Sequence, residues 1–540
     1  MLIGYVSDER YVALPDVLLE FEDEPGSSGN GSVGNGSVEA RSRASGAVYA
    51  DLRPGAYRVT LNKPGFGGKR VSMTVREGTP YHFRLLSDCL LGYPWPKWVR
   101  SGESSEFRVH SPEAYELELW RYGWKKELVR KLGWYDEHGP RATVQITPDG
   151  DYSRTGVEWN KFGYANPALK QYVTAPERSG LYYFHARTRA GQFFSFPWVV
   201  APARPQHKLA VLASNITWNA YNAFGGRSNY INTDKLPVVP TVNSRQELDR
   251  YTAAAYVNYG VEEYAPLSFE RPELINFVPE NEQVTNPIEG RTACHLAPAE
   301  WRLLGWLERE GFDYDFYAET QFHFGQLNLD DYQALIISTH PEYWSRTMYH
   351  RLKSWVHERG GKLLYLGGNG LNCEVDFLDE STIVVQNGNE RERVRQGTTE
   401  SRFHPRVESE ANLLGVVFTY DGIMTSAPYR IEDAGHWVFS GTGLENGALF
   451  GEPSLHRRCP GGASGHETDK ISGDSPKNVK LLAKGTNPDN GGAHMIVYET
   501  ASGGQVFSVG SITWPSSILV DDAVSKITAN VLRRFLGATS

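Results

Sequence analysis

Two apolar runs decide the fold predicted for the second half of this chain: Ala334-Leu-Ile-Ile-Ser338 and Gly361-Lys-Leu-Leu-Tyr-Leu-Gly367. Continuous apolar runs of this length are typical of central strands in a parallel sheet, which are buried on both faces. The segment between them, 346–359, carries apolar residues that share one helical face. These residues are Met348, Leu352, Trp355 and Val356. A strand, a helix and a strand at this spacing predict a βαβ unit.

The pattern extends to both sides and predicts an α/β domain over residues 205–540. A further apolar run, Lys208-Leu-Ala-Val-Leu-Ala213, precedes the first two, and the segments 298–311 and 522–536 have helical periodicity. We therefore expect a three-layer α/β domain with a largely parallel sheet. In such a sheet, ligands bind beyond the carboxyl ends of the strands.

The first 203 residues predict two β-sandwich domains. Short alternating runs separated by turn residues such as Pro54-Gly55 are typical of strands. Residues 1–88 are expected to form a small sandwich with a flexible Gly/Ser-rich loop at 25–38, because few apolar side chains are present to offset the entropy of ordering that loop. Residues 90–203 are expected to form an immunoglobulin-like sandwich.

The composition excludes several classes of protein. The 540 residues carry a net charge of −9, which gives no electrostatic reason to expect nucleic acid or an anionic membrane as a partner. The four cysteines are far apart, so a C-x-x-C zinc or redox site is absent. The apolar runs are too short to span a bilayer, and the first residues do not resemble a signal peptide. We therefore expect a cytoplasmic protein.

Two segments at predicted strand ends carry candidate functional residues. In Thr339-His-Pro-Glu-Tyr-Trp344, Glu342 can offer a carboxylate oxygen to a hard metal ion and His340 can accept a proton. The structural alternative is that Glu342 caps the following helix. In the segment 217–230, Tyr221 and Tyr230 lie near a Gly-Gly turn, where a phenolate can bind ferric iron. A tyrosine in such a loop is more often a packing residue.

Two further segments and one cysteine complete the candidates. Leu366-Gly-Gly-Asn-Gly370 lets the backbone approach a ligand and presents the Asn369 amide, although a tight turn explains the same residues. Gly461-Gly-Ala-Ser-Gly-His-Glu-Thr-Asp-Lys470 projects Glu467 and neighbouring acids, although a polar surface turn explains these. Cys373 lacks the small-residue elbow of a nucleophile, which indicates a buried cysteine.

Together these segments resemble the N,N-dimethylformamidase large (beta) subunit family. The resemblance covers residues 208–540. It is carried by Thr217-Trp-Asn-Ala-Tyr-Asn-Ala-Phe-Gly-Gly-Arg-Ser-Asn-Tyr230, His340-Pro-Glu-Tyr-Trp344, Leu366-Gly-Gly-Asn-Gly370, His436-Trp-Val-Phe-Ser-Gly-Thr-Gly-Leu444, Gly465-His-Glu-Thr-Asp469 and Gly510-Ser-Ile-Thr-Trp-Pro515. The resemblance implies a glutamine-amidotransferase-like α/β fold, hydrolysis of small amides such as N,N-dimethylformamide, a small partner subunit and an oligomer.

The resemblance also implies a mononuclear iron, in the ferric state, held by two tyrosines and one glutamate. Glu342 corresponds to the carboxylate ligand and Tyr221 to the first phenolate. Tyr264 is the choice for the second phenolate, with Tyr230 and Tyr259 as alternatives.

The same resemblance places His340, Asn369 and Glu467 beside the metal as catalytic residues. His340 or Glu467 would move a proton, and Asn369 would donate a hydrogen bond to the oxyanion.

Two other functions are compatible with the sequence. The first is a non-catalytic or carbohydrate-binding protein, which the aromatic-rich sandwiches allow. The second is an amidotransferase relative that depends on Cys373.

Overall fold

The computed structural model describes most of the 540 residues. The described residues are 1–24, 37–135, 147–162, 171–241, 261–279, 295–388, 393–394 and 396–537. Most of the predicted flexible loop at 25–38 and the candidate ligand Tyr259 lie outside these ranges.

Seven strands form two small sheets at the start of the chain. Their bounds are β1 Leu2–Ser7, β2 Leu18–Asp23, β3 Val38–Arg41, β4 Ala47–Tyr49, β5 Gly55–Lys63, β6 Gly67–Val75 and β7 Tyr81–Arg84. The order is β4-β1-β7 in one sheet and β3-β2-β5-β6 in the other. Apolar side chains from both sheets share one buried cluster, which includes Val6, Leu19 and Phe83. The two sheets therefore enclose a core of their own.

The next eight strands form a second pair of sheets. Their bounds are β8 Leu91–Trp95, β9 Trp98–Arg100, β10 Ser104–His110, β11 Tyr115–Tyr122, β12 Lys126–Tyr135, β13 Tyr172–Thr174, β14 Gly180–Thr188 and β15 Phe193–Ala201. The orders are β13-β10-β8 and β12-β11-β14-β15-β9. Two short helices, Tyr152–Thr155 and Trp159–Phe162, lie between β12 and β13. Side chains such as Phe107, Phe184 and Trp198 fill the space between these sheets.

A nine-stranded mixed sheet organises the remainder of the chain. Its strands are β16 Leu209–Ala213, β18 Asp315–Ala318, β19 Ala334–Thr339, β21 Lys362–Gly367, β26 Tyr429–Ile431, β27 Leu449–Phe450, β30 Lys480–Gly485, β31 His494–Glu499 and β32 Gln505–Ser508. Their order in the sheet is β18-β16-β19-β21-β32-β31-β30-β26-β27. Three smaller sheets border it. Their strands are β17 Leu267–Ser268, β20 Tyr343–Trp344, β22 Cys373–Asp379, β23 Thr382–Gln386, β24 Val417–Thr419, β25 Ser426–Ala427, β28 Ser464–Gly465 and β29 Thr468–Lys470.

The prediction of a three-layer α/β, glutamine-amidotransferase-like domain with a largely parallel sheet is wrong. Four of the eight pairings in the main sheet are parallel, and the four pairings from β32 to β27 are antiparallel. Helix makes up only 17% of the structure, so the chain is mostly β. The connections 486–493 and 500–504 are too short for the crossover that parallel neighbours need. The three quoted apolar runs belong to the parallel half and carry no information about the other half.

The predicted helices are present near their expected positions. The helix Arg346–Arg359 has the predicted bounds, and the segments predicted at 298–311 and 522–536 form Ala297–Arg309 and Asp522–Phe535. Further helices among the described residues are Asn215–Tyr221, Glu319–His323, Ala411–Leu414 and Trp514–Ser517, with 3-10 turns at Leu274–Asn276, Leu329–Asp331 and Trp437–Phe439.

The second pair of sheets packs directly against the mixed-sheet region. The Trp301 indole donates to the Gly123 carbonyl at 2.7 Å. The Lys97 ammonium donates to a carboxylate oxygen of Glu273 at 2.5 Å, and both side chains are buried. Buried charges of this kind need a partner, so these contacts hold the two regions in one arrangement.

Candidate functional site

The parallel half of the main sheet brings the candidate segments together. Strands β16, β19 and β21 are hydrogen-bonded neighbours in this order and run in the same direction. The helix that ends at Tyr221 follows β16, His340 follows β19, and Asn369 follows β21. The carboxyl ends of parallel neighbours meet at one edge, which places these side chains at a common rim.

Two oxygen atoms from one segment and a third from more than 100 residues later form a tight triangle. The Tyr230 hydroxyl lies 2.8 Å from the Tyr221 hydroxyl and 2.9 Å from Oε2 of Glu342. The Tyr221 hydroxyl lies 3.1 Å from the same Oε2 atom. All three side chains are buried. Burial raises the pKa of Tyr230 well above its ordinary value, and the nearby charge of Glu342 adds to the increase.

The two oxygens of Glu342 face different groups. Oε2 faces the two phenols, whereas Oε1 accepts a hydrogen bond from Nη2 of Arg402. The backbone N–H of Glu342 donates to the Thr217 hydroxyl at 3.1 Å. The helix-cap explanation for Glu342 is wrong, because the Ser345 side chain caps the helix Arg346–Arg359 by accepting from the Met348 N–H.

His340 lies beside the triangle. Its Nε2 atom is 2.8 Å from the Tyr221 hydroxyl and 3.1 Å from Oε2 of Glu342, and its Nδ1 atom is 3.1 Å from the Gly368 carbonyl oxygen. Burial by itself lowers the pKa of His340. The hydrogen bond to Glu342 and the charges of Glu467 and Glu342 outweigh burial and raise this pKa to about 8.

Asn369 and Glu467 form the more open side of the site. The Asn369 amide Nδ2 donates to Oε2 of Glu467 at 2.8 Å, and this Oε2 atom lies 3.6 Å from Nε2 of His340. The Glu467 side chain is 16% exposed, against 1% for His340 and 2% for Glu342. Glu467 is therefore the carboxylate of the site that water reaches.

A buried carboxylate supports the Asn369 turn from behind. Asp469 accepts from the Asn369 backbone N–H at 2.8 Å and from the Tyr365 hydroxyl at 2.6 Å. Burial raises the pKa of Asp469 to about 7. The turn also needs a glycine at 368, since a Cβ there would lie 2.5 Å from the Glu467 carbonyl oxygen. The tight-turn and functional explanations both apply to Asn369, whose φ is +50°.

Two residues next to the candidate side chains have a left-handed backbone conformation. Thr339 has φ +63°, in the left-handed region that a β-branched residue rarely adopts, and it immediately precedes His340. His466 has φ +66° and precedes Glu467. Strain of this kind costs on the order of 1–3 kcal/mol per residue and persists where surrounding contacts enforce it. The strained pair therefore orients the two side chains that flank the triangle.

Most of the chain matches a known protein family. A family model described as N,N-dimethylformamidase beta subunit-like, C-terminal, matches residues 116–525. The chain belongs to this family.

The curated relatives of the family are distant and longer. The N,N-dimethylformamidase beta subunit of Paracoccus aminophilus is 25% identical, over 67% of this chain and 53% of the relative. That of an Alcaligenes species is 26% identical, over 50% of this chain and 40% of the relative. The chain thus spans about half the length of the curated relatives that it matches.

Solved structures resemble the chain only weakly. A beta-galactosidase from Bacillus circulans sp. alkalophilus has a TM-score of 0.26 and 11% identity, over 44% of this chain and 26% of that chain. A putative carbohydrate binding protein from Bacteroides uniformis has a TM-score of 0.13 and 13% identity, over 36% of this chain and 95% of that chain. Scores this low do not indicate a shared fold.

In the described part of the chain, no helix is both long and apolar enough to cross a membrane.

Tyr230 and Tyr264, which the sequence left open as the second tyrosine ligand, have different surroundings in the structure. Tyr230, named as an alternative, has its hydroxyl in the triangle. Tyr264 is buried near Arg402, and the Tyr264 phenol helps to raise the pKa of Arg402. The backbone N–H of Tyr264 donates to the Val385 carbonyl. Tyr259 lies outside the described residues.

Three further outcomes concern Cys373, the 461–470 segment and Arg402. Cys373 is fully buried, with its Sγ near two backbone carbonyls, as expected of a structural cysteine.

The surface-turn explanation for 461–470 is wrong, because His466, Thr468 and Asp469 are buried. Arg402 was missed, since a single arginine in an irregular segment gives no sequence signal.

The oxygen triangle fits a small, hard cation. Oxygen ligands lie about 2.0–2.2 Å from such an ion, and two ligands at a right angle around it lie about 2.8–3.1 Å apart. The observed separations of 2.8, 2.9 and 3.1 Å match this spacing. Two phenols and one carboxylate are the hard donors that suit ferric iron. A second group, Glu400, His404 and Asp474, also converges among the described residues, with Glu400 and His404 half-buried and Asp474 exposed.

Proposed function

We propose that this chain holds the site of an iron-dependent amidohydrolase that cleaves a small amide, such as N,N-dimethylformamide, into an acid and an amine. The observation that carries the proposal is the triangle of two phenol oxygens and one carboxylate oxygen, 2.8–3.1 Å apart, at the rim of the parallel strands. The relatives are named N,N-dimethylformamidase beta subunits, which supports the choice of substrate class.

The proposed metal ligands are Tyr221, Tyr230 and Glu342. Tyr230 takes the place of Tyr264 because its hydroxyl lies within 3 Å of both other ligand oxygens. Two phenolates and one carboxylate together balance a charge of 3+. When bound, ferric iron supplies Lewis acidity, which polarises an amide carbonyl and acidifies water. Arg402 leaves Oε2 of Glu342 directed towards the phenols by occupying Oε1.

Glu467 and His340 are the proposed proton carriers. In hydrolysis, an oxygen of water bonds to the carbonyl carbon, the C–N bond breaks, and a proton from water ends on the departing nitrogen. Glu467 is the partly exposed carboxylate, and His340 lies 3.6 Å from it. A carboxylate that accepts the water proton and returns it to the amine satisfies this balance. Proton transfer by a positioned side chain contributes about 10²–10⁴-fold to a rate.

Asn369 is the proposed donor to the oxyanion. Its Nδ2 group donates one hydrogen to Glu467 and has a second hydrogen available. One well-placed donor contributes about 3–4 kcal/mol in the transition state. The surrounding turn is held by Asp469, so this amide is preorganised.

We also propose a partner subunit, because the relatives are named as beta subunits. The experiment that tests the site therefore begins with a property that needs no partner. Elemental analysis and a visible spectrum of the as-isolated protein should show about one iron per chain and a phenolate-to-iron charge-transfer band. A colourless, iron-free protein that stays so after anaerobic loading with iron contradicts the proposal.

A matched pair of variants assigns the iron to the triangle. Glu342→Gln should abolish iron binding and amide hydrolysis. Glu374→Gln is the control, because Glu374 is an equally buried carboxylate that pairs with Arg346 at 2.9 Å and Arg406 at 2.7 Å, away from the phenols. If both variants lose iron to the same extent, the loss reflects damaged folding and the assignment fails.

A further inference from the structure

A directional chain of hydrogen bonds joins the two carboxylates of the site. Arg402 donates from Nη2 to Oε1 of Glu342 and from Nε to the Asn372 side-chain oxygen at 3.3 Å. The Asn372 Nδ2 group donates to the Asn369 side-chain oxygen. The Asn369 Nδ2 group donates to Oε2 of Glu467 at 2.8 Å. The chain thus runs from one carboxylate to the other through one arginine and two amides.

Arg402 sets the direction of this chain. A guanidinium group has only donors, so the group that it meets on Asn372 must be the carbonyl oxygen. The Arg402 backbone N–H, 3.4 Å from the same oxygen, requires the same orientation. The NH₂ group of Asn372 is then left to face Asn369, whose own oxygen must accept.

The main chain of Asn369 is held in place, so only the orientation of its side-chain amide remains to be set. Its N–H is held by Asp469 at 2.8 Å, and Asn372 meets it from a buried position three residues later. An amide group is nearly symmetric in shape, so packing alone does not distinguish its NH₂ from its oxygen. Hydrogen bonding to neighbours decides this orientation.

We propose that Arg402, acting through Asn372, is the positioning residue that makes Asn369 present its NH₂ group to the site. This inference rests on the proposed function and adds a determinant of substrate class. With its oxygen already occupied, Asn369 recognises only an acceptor, such as a carbonyl oxygen or the oxyanion formed from it. A ligand that offers an N–H donor at this position meets no acceptor on Asn369.

The simpler alternative is that Arg402 only neutralises the buried charge of Glu342. Arg402→Lys separates the two roles, because an ammonium group keeps the charge but lacks the planar fork that serves two partners at once. Asn372→Asp keeps the size and still accepts from Arg402, but it has no NH₂ group for Asn369. Arg108→Lys is the matched control, since Arg108 is a buried arginine of strand β10 that pairs with Glu106 and Glu270, outside this hydrogen-bond chain.

The first measurement uses metal-free protein and is independent of catalysis. Thermal unfolding is compared for Arg402→Lys, Asn369→Ala and the double variant. If the hydrogen-bond chain connects the two residues, the double variant loses less thermal stability than the sum of the single losses. Additive losses overturn the inference. The same cycle between Arg108→Lys and Asn369→Ala should be additive.

The second measurement uses the iron-loaded protein with N,N-dimethylformamide as the probe. Asn372→Asp should keep iron within about twofold of the natural protein. In iron-saturated protein, Asn372→Asp and Arg402→Lys should each lower kcat at least tenfold. KM should change less than threefold, because the oxyanion bond forms in the transition state. Natural kcat in either variant overturns the inference. If the natural protein binds no iron and cleaves no amide while the unfolding cycle is non-additive, the proposed function fails and the positioning role of Arg402 stands.

Discussion

Replacing Tyr230 with phenylalanine tests the oxygen triangle most directly, because it removes one atom. The Tyr230 hydroxyl contacts the Tyr221 hydroxyl at 2.8 Å, Oε2 of Glu342 at 2.9 Å and the Tyr343 hydroxyl at 3.1 Å. In metal-free Tyr230→Phe, Oε2 of Glu342 still has partners in Tyr221 and His340. The cost in unfolding free energy should therefore be that of one net hydrogen bond, about 0.5–1.5 kcal/mol.

The expected effect on metal binding is much larger. Loss of a residue that only supports a ligand typically weakens metal binding about 10–100-fold. Loss of one of three protein ligands should exceed the upper end of this range. We expect at least a 100-fold loss of affinity, which corresponds to about 2.7 kcal/mol. The gap between a small stability loss and a large affinity loss distinguishes a ligand from a packing residue.

The assay is iron content after dialysis against a limiting concentration of iron, together with the visible spectrum and thermal unfolding. Tyr264→Phe is the matched control, because Tyr264 is equally buried and the family resemblance named it as the second ligand. It should keep its iron and its charge-transfer band. Full iron in Tyr230→Phe, with loss of iron in Tyr264→Phe, would refute the geometric argument and restore the original ligand set.

Three further outcomes are expected. Glu467→Gln should keep iron and lower kcat about 10²–10⁴-fold, measured by amine release, and a natural rate would remove Glu467 as a proton carrier. Cys373→Ala should hydrolyse the amide within twofold of the natural rate, whereas abolished hydrolysis with intact folding would indicate cysteine chemistry. Burial raises the pKa of the Glu300 carboxyl from 4.5 to about 8. Between these two pH values the folded state keeps a proton on Glu300 that the unfolded state has released, so the free energy of unfolding falls as the pH rises. Denaturant unfolding of Glu300→Gln should therefore show a gain relative to the natural protein that grows from pH 5 to pH 8, by up to about 4 kcal/mol, and a constant difference would contradict the shift.

Local patterns were sufficient to predict several elements of the fold. The helix Arg346–Arg359 was predicted with its observed bounds, because its apolar residues repeat with helical spacing and a glycine follows at 360. The parallel strands β19 and β21 were visible as apolar runs. The antiparallel half of the main sheet was not predicted, because a short apolar run such as 495–498 does not show in which direction the neighbouring strand runs.

The residues of the site were likewise predicted only in part from the sequence. Strand-end positions made Tyr221, His340, Glu342 and Asn369 candidates, and the family resemblance supplied Glu467 and the role of each residue. The sequence did not show which second tyrosine lies beside Tyr221, because phenols in irregular segments have no period or spacing that relates them to a distant carboxylate.

The sequence by itself determined the residue types of the site, the strands and helices that carry them, and the membership of the family. Only the tertiary structure decided that the oxygens of Tyr221, Tyr230 and Glu342 lie within 3.1 Å of one another. It also decided that Arg402 donates to the other carboxylate oxygen of Glu342. The physical reason is that secondary structure follows from contacts a few residues apart, whereas an oxygen triangle and an ion pair depend on how separate segments pack.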